Sequence, residues 1–238
     1  VGSDDIDGYI GDLAPDSVTI AEVLKASGYA TFLSGKWHVT AHTGADGPKH
    51  NWPLQRGFDQ FYGIITGAGS FYDPPTLTRD NERISVPDDD KDYFVTDAIS
   101  DQMVDYIEQH VESDDDGDKK PFFGYLAYTA PHWPLHAHEE DIAKYEHRFD
   151  AGWDQLRQER LERMVELGLL DPEWALSPRD PSQPAWDDAP DKEWEARRMA
   201  VYAAQIDRMD QGIGRVVEAL RRTGELENTL IIFLADNG

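Results

Sequence analysis

Between Thr19 and Ser34 three local signals follow one another without a gap. Thr19-Ile20-Ala21-Glu22 is a capping box, in which the threonine oxygen accepts from the N3 amide while Glu22 reaches back to the cap. Val18 and Val23 stand where a hydrophobic staple would close, and Gly28 stands where a helix stops in a left-handed turn. Tyr29 to Ser34 then reads as a short strand. Helix, tight turn and strand in that order build open α/β sheets, in which chemistry gathers at the carboxyl ends of the strands. This strand delivers Gly35-Lys36-Trp37-His38. Residues two apart in an extended chain share a side, so Lys36 and His38 would present an ammonium and an imidazole together, an arrangement that faces an anion. A solvated loop carrying the same two residues is the alternative this stretch leaves open.

Two further runs end in reactive groups. Pro121 to Tyr128 is an apolar, aromatic run suited to a buried parallel strand. It ends in Thr129-Ala130-Pro131-His132-Trp133-Pro134, where prolines fix the backbone and place His132 at the strand's end, either as a functional group or as a cap on the turn. Thr229 to Leu234 has no polar interruption, as expected of a central strand covered on both faces. It emits Asp236-Asn237-Gly238, a carboxylate and an amide carbonyl suited to Ca²⁺ or Mg²⁺, although the tripeptide is also ordinary turn chemistry.

The segments between read mainly as scaffold, except that the proline-rich excursion from Asp171 to Asp191 leaves two readings open, a substrate mouth or partner surface and packing alone. Arg79-Asp80-Asn81-Glu82 reads as a hairpin tip. Thr96 is placed to cap a helix with Val95, Ile99, Met103, Tyr106 and Val111 on one face, and Asp114 to Lys120 follows as an exposed connection. Trp153 to Leu169 is amphipathic, and Asp171 to Asp191, rich in proline, predicts an ordered irregular excursion. A last helix runs from about Lys192 to Thr223, with Tyr202, Ile206, Met209, Ile213, Val216 and Leu220 as one core stripe and Gly224 as its stop.

Four other histidines invite a metal. His42 and His50, in the loop after His38, read as solvent-exposed. His136 and His138 alternate like a zinc pair, but zinc would want further ligands, and no carboxylate with a motif around it accompanies them.

Composition narrows the partners. With 47 Asp plus Glu against 22 Lys plus Arg, the formal net charge is −25, which repels nucleic acid and anionic membrane; adaptation to high salt and a plain acidic surface both account for it. No apolar run approaches the ~18 residues of a membrane span. The absence of cysteine excludes disulfides and thiolate metal sites in these 238 residues and leaves the compartment open.

The stretch Gly28-Tyr29-x-Thr31-x-x-Ser34-Gly35-Lys36-Trp37-His38 resembles the second signature of the sulfatases, members of the alkaline-phosphatase-like superfamily. Arg56-Gly57-Phe58-Asp59 is similar to a segment that commonly follows it there, while Val39-Thr40 departs from the usual Leu-Gly. His132 after Ala-Pro, and Asp236 with Asn237 after a helix and an apolar strand, resemble two more sulfatase segments. Asp150-Ala151-Gly152-Trp153-Asp154 and Leu176-Ser177-Pro178-Arg179-Asp180 resemble parts of the excursion in bacterial arylsulfatases.

The resemblance implies an α/β, alkaline-phosphatase-like fold with a mostly parallel sheet sandwiched by helices. Lys36 and His38 would contact sulfate, His132 would hydrogen-bond the ester or its leaving oxygen, and Asp236 and Asn237 would ligate Ca²⁺, with Mg²⁺ as the alternative. The implied substrate is a small-molecule sulfate ester, cleaved by a hydrated formylglycine made from a Cys/Ser-x-Pro-x-Arg motif. No such motif occurs here, and Ser177-Pro178-Arg179 has the wrong spacing. The expectation is therefore a partial catalytic domain over residues 1–238, truncated at both ends, inactive alone, with an excursion at about 148–191. Periplasmic or extracellular placement follows from the family only. A phosphodiesterase or phosphonate hydrolase of the same superfamily, and a non-catalytic anion-binding scaffold, are the alternatives. Oligomeric state and the identity of the ester are not legible.

Overall fold

A computed structural model describes residues 9–113 and 120–235. The chain divides into two compact units, one made of residues up to Pro134 together with those from Arg208 onward, the other of Leu135–Asp207.

In the first unit, helix α1 (Ile20–Ala26) begins as the capping box dictates: Glu22 N–H donates to Thr19 Oγ1 at 3.0 Å, and Thr19 N–H donates to Glu22 Oε2 at 2.7 Å. Gly28, at φ +91°, makes the expected left-handed turn. The staple does not close, because Val18 and Val23 are both exposed. Strand β1 (Ala30–Lys36) starts one residue later than expected and runs two residues further.

Around β1 the sheet has the order β4-β3-β2-β1-β5, with β2 (Gln60–Ile64), β3 (Leu77–Arg79), β4 (Glu82–Arg83) and β5 (Phe122–Ala127). β2 and β5 lie parallel to β1, while β3 and β4 add an antiparallel hairpin whose tip, Asp80, has φ +55°. The pleat sends alternate β1 residues to opposite faces. Leu33 and Phe61 join Ala21 of α1 in one cluster, whereas Phe32 and Tyr62 join Tyr106 of helix α2 (Val95–Ser113) in another. A helix therefore covers each face. The implied sandwich is present, with three of five strands parallel.

Two of the resembling motifs meet in this scaffold. Thr31 Oγ1 donates to Gly57 O at 2.7 Å, and Thr31 N–H donates to Asp59 Oδ2 at 3.0 Å. Buried Arg56 donates to Glu22 Oε1 at 3.1 Å, to Asn51 Oδ1 and to Ser17 O, tying helix α1 to the loop before β2.

α2 starts at Val95, so Thr96 lies inside the helix rather than at its cap, with its Oγ1 buried and unpartnered among the described residues. The connection expected at Asp114 to Lys120 falls, but for Lys120, outside the described residues. β5 forms in parallel register but at the sheet's edge, with Tyr125 46% exposed, so its apolar composition overstates its burial.

Helix α5 (Lys192–Arg222) contributes residues to both units. Its Val216 and Leu220 pack on Met103 and Ile107 of α2, and Met209 joins the Phe71, Phe94 and Ile99 cluster. The stripe does not continue as expected, because Tyr202 and Ile206 are exposed; in the second unit the buried face is Ala200 and Ala204 on Ile142. Small residues bury a helix face where the neighbour stands close, and a hydrophobicity stripe does not register that.

The largest departure is Thr229 to Leu234. No strand forms there among the described residues, and Leu230 and Phe233 are 84% and 75% exposed. An apolar run records fitness for burial in a sheet, but pairing also requires a neighbouring strand edge, which the run takes from none of the described strands.

The second unit holds α3 (Glu139–Ala143), α4 (Gly152–Glu166) and the irregular stretch after it. The excursion read at about 148–191 lies within this unit. Its two motif fragments touch: Arg179 Nη1 donates to Asp154 Oδ1, and Trp186 N–H donates to Asp154 Oδ2, both at 2.8 Å.

Candidate active site

The carboxyl ends of β1 and β5 are neighbours because Gly35 pairs with Ala127. The approach is close enough to demand glycine. A Cβ on Gly35 would fall 1.9 Å from Ala127 O, and one on Gly63 of β2 would fall 1.8 Å from Gly35 O. Both glycines also hold positive φ, +128° and +152°. Gly35 in the Ser-Gly-Lys-Trp-His run thus lets three strands close together where Lys36 and His38 emerge.

Lys36 is the last residue of β1, and the chain beyond it stays tied to β2 through Trp37 N–H to Ile64 O at 2.9 Å and His38 N–H to Ile65 O at 3.0 Å. Trp37 is buried and donates its indole N–H to Asn51 O at 2.6 Å, which fixes the turn from inside. His38 is not simply the next extended residue on the side of Lys36. Its φ is +56°, a conformation that costs a β-carbon residue energy and persists where the surroundings impose it. Its ring rests against Gly67, in the loop after β2.

From β5 the chain passes through Thr129 to His132, whose N–H donates to Thr129 O at 2.9 Å and whose Nδ1 lies 2.6 Å from Trp133 O. Thr129 is buried, and its Oγ1 has no hydrogen-bond partner among the described residues.

Two of these nitrogen groups act on the third. Burial is the first cause holding the His38 imidazole below the ordinary histidine value, and the charges of Lys36 and His132 push it the same way. The neutral form of His38 is thereby favoured. An amine and two imidazoles suit an oxyanion, whereas Ca²⁺ or Mg²⁺ asks for oxygen donors. The pair read as those donors, Asp236 and Asn237, lies outside the described residues, so a hard cation rests on their sequence chemistry alone.

A sequence model of the sulfatase family matches residues 2–238. The chain belongs to the sulfatase family. This sulfatase chain is 33% identical over 255 residues to an arylsulfatase of Klebsiella aerogenes, covering 98% of the chain and 49% of the relative. It is also 33% identical over 247 residues to an uncharacterized sulfatase of Schizosaccharomyces pombe, covering 97% and 42%. It thus spans less than half the length of these curated relatives. Among solved structures it resembles a protein of a glycosaminoglycan-metabolising locus of Bacteroides thetaiotaomicron, with TM-score 0.61 and 20% identity over 91% of this chain and 40% of that one. It also resembles BT4656 in complex with its substrate D-glucosamine-2-N,6-O-disulfate, with TM-score 0.54 and 20% identity over 92% and 49%. The fold of this sulfatase chain is the α/β, alkaline-phosphatase-like one.

Two features of the sulfatase chain escaped the sequence. Gly67 lies 29 positions beyond the histidine it seats and carries no side chain to mark it. His42 and His50, read as merely exposed, stand together with Asp12: one donor atom from each lies within 4.8 Å of the others.

Proposed function

We propose that Lys36, His38 and His132 form the anion-holding side of a sulfatase active site, and that the whole protein carrying this chain hydrolyses sulfate esters to alcohol and sulfate. The observation that supports it best is the meeting of the carboxyl ends of β1 and β5 at Gly35 and Ala127, from which Lys36, His38 and His132 issue.

In this reading the Lys36 ammonium neutralises charge on the sulfuryl oxygens. Neutral His38, held by Gly67 and by its backbone bond to Ile65, donates a ring N–H to one of those oxygens. His132 stands at the leaving side, where an imidazole can hold a proton for the departing alkoxide. Charge stabilisation by groups already in place is the principal source of rate in such transfers. Asp236 and Asn237 are proposed as oxygen ligands for Ca²⁺, or Mg²⁺, which would add positive charge beside the sulfate, while formylglycine, expected outside these residues, would supply the attacking oxygen.

The test is sulfate release from an aryl sulfate by the full-length protein, with an aryl phosphate in parallel. Sulfate preferred over phosphate, with Lys36→Ala and His132→Ala each costing at least tenfold in kcat/KM, is the expected result. Preference for phosphate would move the protein to the phosphoesterases of the superfamily, and no turnover of either would favour an anion-binding scaffold. Residues 1–238 alone are expected to release no sulfate; turnover by them that depends on Lys36 would refute that part.

A further inference from the structure

We propose that Asp12, His42 and His50 form a binding site for one divalent transition-metal ion of the zinc type, clamping the loop that follows His38 to the segment before helix α1. Donor atoms of the three side chains lie within 4.8 Å of one another. His50 Nε2 is 3.2 Å from Asp12 Oδ2, and the two imidazole rings meet edge to face with centroids 5.2 Å apart. Zinc–ligand bonds of about 2.0–2.2 Å place tetrahedral ligand atoms roughly 3.5 Å apart. The donors need only draw in by about an ångström, and both histidines are exposed.

The supports behind the ligands are built. The Asp12 side chain is 13% exposed, and its Oδ1 accepts from Ala41 N–H at 3.1 Å while Oδ2 faces His50. Asn51, next to His50, donates to Leu13 O, next to Asp12, at 2.9 Å. Fully buried Trp52 donates its indole N–H to His42 O at 2.7 Å. Lys49, the cation nearest in sequence, is turned onto Ala45 O and over the Trp52 ring. Outer contacts of this kind fix ligand orientation, and their loss commonly weakens a metal about 10- to 100-fold.

Two imidazoles and one carboxylate select Zn²⁺, Co²⁺, Ni²⁺ or Cu²⁺ over Ca²⁺ and Mg²⁺, which prefer all-oxygen shells. Three protein ligands leave an outward position for water. The competing account is a plain Asp12–His50 hydrogen bond with His42 packed against it.

The experiment is titration of the full-length protein with Zn²⁺ by calorimetry, and with Co²⁺ by visible absorption, both in saturating Ca²⁺ so that any oxygen site is filled. One equivalent of Zn²⁺ should bind at this site. His42→Gln, His50→Gln and Asp12→Asn should each weaken that binding at least tenfold, while His136→Gln leaves it unchanged. Intense Co²⁺ d–d bands should appear and be lost in His42→Gln. Zinc binding that His42→Gln leaves intact, or a Co²⁺ spectrum no different from that of the aqueous ion, would overturn the proposal. Far-UV circular dichroism of each variant separates lost ligands from lost fold.

Discussion

A side chain at Gly67 would begin inside the His38 imidazole: its Cβ would fall 2.2 Å from Cε1, 2.4 Å from Nδ1 and 2.5 Å from Nε2. The absence of a side chain at 67 is thus what permits the ring position at 38. Gly67→Ala should therefore displace the ring. A misplacement of about 1 Å near reacting groups can cost on the order of 10²-fold, so sulfate release by the full-length protein should fall at least tenfold while the melting temperature moves by only a few degrees. Unchanged kcat/KM in Gly67→Ala would show that His38 does not act from this position.

His38 should titrate below 6.5, because burial first, and then the charges of Lys36 and His132, disfavour its protonated form. In the window between its folded value and 6.5 the unfolded chain binds more protons, so stability rises with pH there and is lost as pH falls through the folded value. Lys36→Met removes a secondary cause and should raise the His38 value only part of the way, as followed by NMR of the imidazole protons. A value in Lys36→Met equal to that of the native chain would disprove the coupling.

Arg56 donates to Glu22, Asn51 and Ser17 from a buried position. Arg56→Leu leaves those acceptors unmatched and should cost about 3 kcal/mol in urea unfolding at neutral pH. Glu22 is held below 4.5 first by the Thr19 backbone N–H and then, against its own desolvation, by Arg56. Its contribution is complete above 4.5 and lost as pH falls through the folded value, so the gap between native and Arg56→Leu chains should narrow in acid. A pH-independent gap would place the cost in packing alone.

Gly35→Ala puts a methyl 1.9 Å from Ala127 O at a φ of +128°. Neither backbone can yield without separating β1 from β5, and a loss of at least about 3 kcal/mol is expected, in the range reserved for overpacked or strained core positions. Hydrogen exchange should show the β1–β5 amides losing protection together. Retained protection at Leu126 and Ala127 would count against the tight three-strand closure.

What the sequence revealed and what it hid divide along a physical line. The capping box at Thr19 and Glu22, the stop at Gly28 and the delivery of Lys36 at a strand end are local, and each is legible because the interacting residues lie within a few positions of one another. The left-handed twist at His38 is not, since it answers to Ile65 and Gly67 across the sheet. Asp12 meets His50 over 38 positions, by loop closure with no period to betray it. The stripe through Tyr202 and Ile206 misled because hydrophobicity says nothing of the alanines that a close neighbour prefers. At Thr229 to Leu234 the pattern describes a preference for company that no described strand provides.

That last run has a practical side. Five successive greasy side chains, Leu230 to Leu234, stand exposed, and on β5 Tyr125 is also turned outward. Segments of this length, β-prone and uncharged, template intermolecular ribbons. Handled as a separate polypeptide at high concentration, residues 1–238 should gel or precipitate before they unfold, and a lysine in place of Ile232 is the simplest way to keep them in solution.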